Sequence, residues 1–105
     1  MIEEFGICPE NQTVSRVRLS GHGLTAHILT WGAALQDLRL EGYSDPLVVG
    51  FETLRDYIDH SQYHGVTAGR VINRIGNATA TINGNRHRLD ANQDGRHMLH
   101  GGRDG

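Results

Sequence analysis

The sequence predicts an all-β chain of short antiparallel strands, and three observations carry the prediction. Apolar and polar residues alternate over several short windows. Glycine is abundant, at 14 of 105 residues, while proline occurs only twice. An Asn-Gly pair separates two of the windows. Alternation with a period of two sets one face of a strand against a core and the other in solvent, and glycine opens the tight turns that join such strands.

The first window, residues 13–20 (TVSRVRLS), alternates imperfectly through Val14, Val17 and Leu19, as a half-buried strand does. Gly21-His22-Gly23 supplies a turn, and residues 24–30 resume the alternation through Leu24, Ala26 and Ile28 until Trp31-Gly32 ends it. Residues 34–40 (ALQDLRL) fit helix or strand by pattern alone, and their place in a strand-turn series favours strand. A polar turn over residues 41–45 leads to the apolar, glycine-bounded run PLVVG, residues 46–50, expected as a buried strand. Residues 51–58 (FETLRDYI) hold the one plausible helical turn, with Glu52, Thr53 and Asp56 around its start. A strand pair follows over residues 78–82 and 85–89, joined by Asn83-Gly84, the dipeptide that suits the positive dihedrals of a type I′ turn. Roughly six such strands would ordinarily need a second layer to cover one face.

Length and charge restrict the partners. A chain of 105 residues is at most one domain of ordinary size. A net charge of -2 and a pI near 6.4 provide no basic field for phosphate backbones, so nucleic acid is not an expected partner. The start, Met1-Ile2-Glu3-Glu4-Phe5, has no feature of a secretory signal, and the longest weakly charged stretch is too short to span a bilayer. A single cysteine, Cys8, allows no internal disulfide and fits a reducing compartment. Together these features predict a soluble cytoplasmic protein.

Two motifs near the end carry the candidate chemistry: GRVINRI, residues 69–75, and LHGGRDG, residues 99–105. Two readings stand for Arg74. Its guanidinium offers five donors in a planar fork suited to paired oxygens such as vicinal hydroxyls, or it is a strand-end arginine paired with an acid. Arg70 and Arg96 take the second reading. His100, set before Gly101-Gly102, either meets a ligand where glycines permit close backbone approach or caps a glycine turn.

The remaining candidates take the plainer reading. Seven histidines raise the question of a metal, with His60 and His64 four apart and His97 and His100 three apart. No cysteine accompanies them and no His-Glu-x-x-His pattern occurs, so no metal is expected. Trp31 is read as core rather than a sugar-stacking platform. Tyr57 and Tyr63 are read as solvated-loop residues, with a ligand rim as the alternative. Cys8 is expected near a frayed terminus and without a base to activate it.

With those residues assembled, the chain resembles the N-terminal portion of the aldose 1-epimerase (galactose mutarotase) family. The resemblance runs from about Ile28 to Gly105 through ILTWGAALQDLRL, PLVVGFETLRDY, GRVINRI, ATINGNRHRL and LHGG. It implies an antiparallel β-sandwich of galactose mutarotase type, of which residues 1–105 form the N-terminal portion. It implies interconversion of the α and β anomers of a free aldose, such as galactose or glucose, with no cofactor. On matching positions it assigns Asn73, Arg74 and His100 to substrate binding. The family's general acid, a histidine, and general base, a glutamate, fall beyond LHGG, so no catalytic residue is expected within this chain, which is expected to be a fragment and inactive alone. The loop of residues 93–98 runs about one residue longer than the usual spacing before LHGG, a difference expected to move the rim of the sugar site. Two alternatives remain: a non-catalytic carbohydrate-binding β-module, and a degenerate piece that folds poorly and binds nothing.

Overall fold

A computed structural model describes residues 1–105, which divide into two compact units, Met1–Thr67 and Ala68–Gly105. The first is a meander of four antiparallel strands in sequential order: β1 (Ile2–Ile7), β2 (Thr13–Gly21), β3 (Leu24–Leu29) and β4 (Leu35–Leu40). β2 and β3 lie where the alternation predicts them, and β4 takes the strand form that its place in the series favours. β1 overturns the expectation of a frayed terminus. Its residues carry no local alternation, and cross-strand partners such as Ile2 with Val17 and Glu4 with Ser15 hold them.

Register decides the faces of this sheet. Val17 lies opposite Ile28, Leu19 opposite Ala26, Ala26 opposite Leu38, and Leu24 opposite Leu40, so one face is mostly apolar, with Ser15 and Glu4 at its edge. The other carries Arg16, Arg18, His27, Asp37 and Arg39, with Arg16 paired to Glu3 and Arg39 to Asp37. Most of this face is half-buried, while Leu19 at 56% and Ile2 at 69% are exposed.

The core of this unit lies at one end of the charged face. Val14, Leu29, Ala34, Leu54 and Tyr57 are buried together, with Phe5, Cys8, Trp31, Phe51 and Val66 packed around them. Tyr57 sits at its centre, 1% exposed, with ring centroids 5.3 Å from Phe51, 5.9 Å from Trp31 and 6.3 Å from Phe5. Its hydroxyl accepts the Phe51 N–H at 3.3 Å. Neither sequence reading of Tyr57 holds, because the helix that carries it turns its ring inward. Trp31 and Cys8 pack on the core.

That helix, α1 (Leu54–His60), is the one expected from FETLRDYI. The Thr53 hydroxyl accepts the Asp56 N–H at 3.2 Å and donates to the Asp56 carboxylate at 2.6 Å, closing the first turn. Leu54 and Tyr57, three apart, fall on one helical face and are buried. After His60, His64 stacks on Phe51 with centroids 5.6 Å apart.

Residues 46–50 are not the buried strand that their composition predicts. The run reaches β4 through one backbone bond, Leu47 N–H to the Leu38 carbonyl, and Val49 is 84% exposed. Apolar character expresses a preference for burial, whereas a strand also requires a ladder of partners along its edge.

The second unit is built from two small antiparallel pairs: β5 (Arg74–Ile75) with β8 (Met98–Leu99), and β6 (Thr79–Ile82) with β7 (Asn85–Arg88). The β6–β7 hairpin lies within a residue of its predicted limits. Asn83 at φ 50° and Gly84 at φ 79° give the doubly positive turn that Asn-Gly favours. A single turn of 3-10 helix, Gly76–Ala78, joins β5 to β6, and another, Gly102–Asp104, follows β8. No helix of the chain is long and apolar enough to cross a membrane.

Candidate functional site

The three residues singled out by sequence meet at one end of the β5–β8 ladder. Arg74 pairs in register with Leu99, so Asn73 and His100 are the next residues beyond that rung. The His100 N–H donates to the Asn73 carbonyl at 2.9 Å, and the Asn73 N–H donates to Nδ1 of His100 at 3.0 Å. Arg74 donates from Nη1 to the Asn73 side-chain oxygen at 2.9 Å and from Nε to Oε1 of Gln93 at 2.6 Å. Asn73 thus binds the arginine with its side chain and the histidine with its backbone.

Local chemistry explains why these residue types stand here. Asn73 has φ 61° and His100 φ 49°, in the left-handed region that asparagine and histidine enter more readily than most side chains. A backbone N–H can only donate, so Nδ1 of His100 is the bare nitrogen and the neutral ring carries its proton on Nε2. Both partners of the Arg74 guanidinium are uncharged amide oxygens. The reading of Arg74 as an arginine paired with an acid is overturned, and its positive charge remains available to ligand oxygens.

The paired glycines allow a close approach of backbone and side chain around them. A Cβ on Gly101, where φ is 88°, would lie 2.4 Å from the Gly69 carbonyl oxygen. One on Gly102 would lie 2.8 Å from a carboxylate oxygen of Asp90, which accepts the Arg103 N–H at 3.0 Å. Gly69 opens the first motif and Gly101 closes on it, so the two motifs meet as backbone against backbone.

The opposite end of the ladder repeats the device. The Asn77 N–H, at φ 57°, donates to Nδ1 of His97 at 3.0 Å, while Arg96 Nε donates to the Asn77 side-chain oxygen at 3.4 Å. Asn92 grips Leu99 by both backbone groups, its amide donating to the carbonyl at 2.9 Å and its oxygen accepting the N–H at 2.8 Å. Asn92 and Gln93 were missed as site residues in the sequence, where residues 93–98 are read only as a loop. Arg74 and Asn73 are exposed and His100 is half-buried, which leaves the group open to solvent. No cluster of three or more histidine, cysteine, aspartate or glutamate side chains could hold a metal ion.

Antiparallel strands, one short helix and this asparagine-arginine-histidine group define an all-β chain whose candidate site offers donors to ligand oxygens. Comparison with known proteins gives it a lineage. The family model described as aldose 1-epimerase matches residues 15–105, and the chain belongs to that family. It is 34% identical over 102 residues to galactose mutarotase of Sus scrofa, covering 93% of this chain and 30% of that protein. It is also 34% identical over 84 residues to aldose 1-epimerase of Haemophilus influenzae, covering 77% of this chain and 24% of the relative. The chain therefore spans about three-tenths, or less, of the length of these relatives. Among solved structures, an aldose epimerase homologue from C. elegans aligns with a TM-score of 0.76 at 34% identity, covering 88% of this chain and 29% of that one. Galactose 1-epimerase from Lactobacillus acidophilus aligns with a TM-score of 0.78 at 21% identity, covering 97% and 30%, a likeness of fold. The antiparallel all-β class and its galactose mutarotase type are those expected from the sequence.

Proposed function

We propose that this chain supplies the sugar-gripping part of an aldose 1-epimerase site, with Asn73, Arg74 and His100 as the substrate-binding group and a free aldose such as galactose or glucose as ligand. One observation carries the reading: Asn73 fastens a guanidinium and an imidazole, 26 positions apart in sequence, into one hydrogen-bonded group. The result is a set of donors around a full positive charge, suited to a neutral, hydroxyl-rich ligand.

Interconversion of anomers needs a proton to leave the anomeric hydroxyl and another to reach the ring oxygen as the bond between that oxygen and the anomeric carbon breaks. The open aldehyde then rotates and recloses on its other face. Charge moves between neighbouring oxygens during both steps. Free N–H groups of Arg74 and the Nε2–H of His100 are donors for those oxygens, so their contribution is orientation and electrostatic stabilisation. The main proton transfers are assigned to the family's general acid histidine and general base glutamate, beyond LHGG, where each such group typically contributes ~10²–10⁴ in rate. No cofactor takes part in this scheme.

Polarimetry of freshly dissolved α-galactose or α-glucose tests the division of labour. The 105-residue chain is expected to leave mutarotation at the buffer rate while binding galactose in an NMR titration. Acceleration above buffer would show that an acid and a base lie within the chain. A failure to bind would remove the sugar reading. In a longer counterpart that contains this segment, Arg74→Ala is expected to lower turnover by about 10²–10³-fold. Binding with an unchanged rate in that variant would favour a carbohydrate-binding module without catalysis at this group.

A further inference from the structure

The closest partner of the Arg74 guanidinium is a residue outside both motifs. Gln93 Oε1 accepts the Arg74 Nε–H at 2.6 Å. The Gln93 backbone is itself tightly held. Its N–H donates to the His97 carbonyl at 3.0 Å, and its carbonyl accepts the N–H groups of Arg96 at 3.0 Å and His97 at 3.1 Å, closing the turn of residues 93–97. The preceding residue, Asn92, clamps Leu99 by both backbone groups, and Leu99 is the ladder partner of Arg74. The side chain of Gln93 therefore leaves from a backbone anchored to the ladder that carries the arginine.

Which donors remain follows from which are engaged. Nε is held by Gln93 and one N–H of Nη1 by Asn73. Both N–H groups of Nη2 and the second of Nη1 are left for a ligand. We propose that Gln93 is a positioning residue for Arg74: it occupies Nε, so that the guanidinium meets sugar oxygens end-on through Nη1 and Nη2 rather than side-on through Nε and Nη2. An amide suits the task because it accepts the hydrogen bond without cancelling the charge, as a carboxylate there would. The loop before LHGG thereby becomes the support of the arginine. This inference rests on the reading of Arg74 as a sugar-binding residue.

The test uses the 105-residue chain with Gln93→Ala, Gln93→Glu and Arg74→Ala. The first readout needs no sugar: solvent exchange of the Arg74 Nε–H, followed by 15N NMR. Slow exchange is expected in the original chain, fast exchange in Gln93→Ala, and slow exchange again in Gln93→Glu, whose carboxylate restores an acceptor at the same place. Exchange as fast as in an unbonded arginine, or exchange unaltered by Gln93→Ala, would overturn the proposal. The second readout is galactose affinity, expected to fall roughly 3- to 10-fold in Gln93→Ala as a long side chain regains its freedom. Unchanged affinity in that variant, with binding lost in Arg74→Ala, would also overturn it. If no form binds galactose, the sugar reading fails, and the exchange rates alone still decide whether Gln93 holds Arg74. Should Gln93→Ala not fold, the original chain and Gln93→Glu decide in the same way.

Discussion

Asn73 and His100 share two hydrogen bonds: the Asn73 N–H donates to Nδ1 of the imidazole at 3.0 Å, and the Asn73 carbonyl accepts the His100 N–H at 2.9 Å. The pair fixes the position of the ring and engages Nδ1 as an acceptor. In the neutral imidazole the proton is therefore expected on Nε2, a state that long-range 1H–15N NMR of the ring identifies directly. A spectrum with the proton on Nδ1 would contradict the hydrogen bond and the donor role given to Nε2.

The same pair separates structure from recognition. His100→Ala removes the acceptor of the Asn73 N–H and is expected to cost about 1 kcal/mol in thermal or urea unfolding. His100→Asn places an oxygen close to where Nδ1 stood and should recover most of that stability without the imidazole Nε2–H. Galactose binding should fall in both variants. If His100→Asn binds as the original does, the imidazole has no part in holding sugar.

Gly101 gives a sharper structural test. A methyl group there would press on the Gly69 carbonyl and the backbone would keep its positive φ, so Gly101→Ala is expected to destabilise the second unit by at least ~2 kcal/mol. Gly76→Ala is the control, because a Cβ at Gly76 meets nothing within 4 Å. Hydrogen exchange of the amides of β5 and β8 reports the difference, and equal protection in the two variants would contradict the close approach.

Tyr57 should dominate the stability of the first unit. Tyr57→Ala removes a ring that is 1% exposed and surrounded by Phe5, Trp31 and Phe51, a change expected to cost about 3–5 kcal/mol by chemical denaturation. Tyr57→Phe keeps the ring and loses the hydroxyl that accepts the Phe51 N–H, at a cost of roughly 1 kcal/mol. A mild effect of Tyr57→Ala would mean that the aromatic cluster is not the core.

The hairpin turn offers the simplest test of a local sequence rule. Gly84 stands at φ 79°, and Gly84→Val should weaken the β6–β7 pair by at least ~1 kcal/mol, read from the amide protection of Thr79–Ile82. Undiminished protection would mean that the turn tolerates a branched side chain and is not the doubly positive form.

Much of this fold was legible where the signal is local. Alternation located β2 and β3, a place in the strand-turn series favoured strand for β4, Thr53 and Asp56 marked the start of α1, and Asn83-Gly84 fixed the hairpin. Each depends on residues a few positions apart, so the sequence holds the whole cause. β1 failed the same approach because nothing within Ile2–Ile7 alternates, and its pairing with β2 alone makes it a strand. Residues 46–50 failed in the opposite sense: their composition is that of a buried strand, yet no second ladder receives them.

The candidate site divides along the same line. The sequence by itself determined which residue types are available: an arginine beside an asparagine, a histidine before two glycines, and no basic excess. Tertiary structure alone decided that Asn73 joins Arg74 to His100, that Gln93 rather than an acid holds the guanidinium, and that Gly101 answers to the Gly69 carbonyl. The physical reason is the reach of the interactions. Dihedral preference and periodicity act between neighbours along the chain, whereas a hydrogen bond joins whatever groups the strand register brings within about 3 Å.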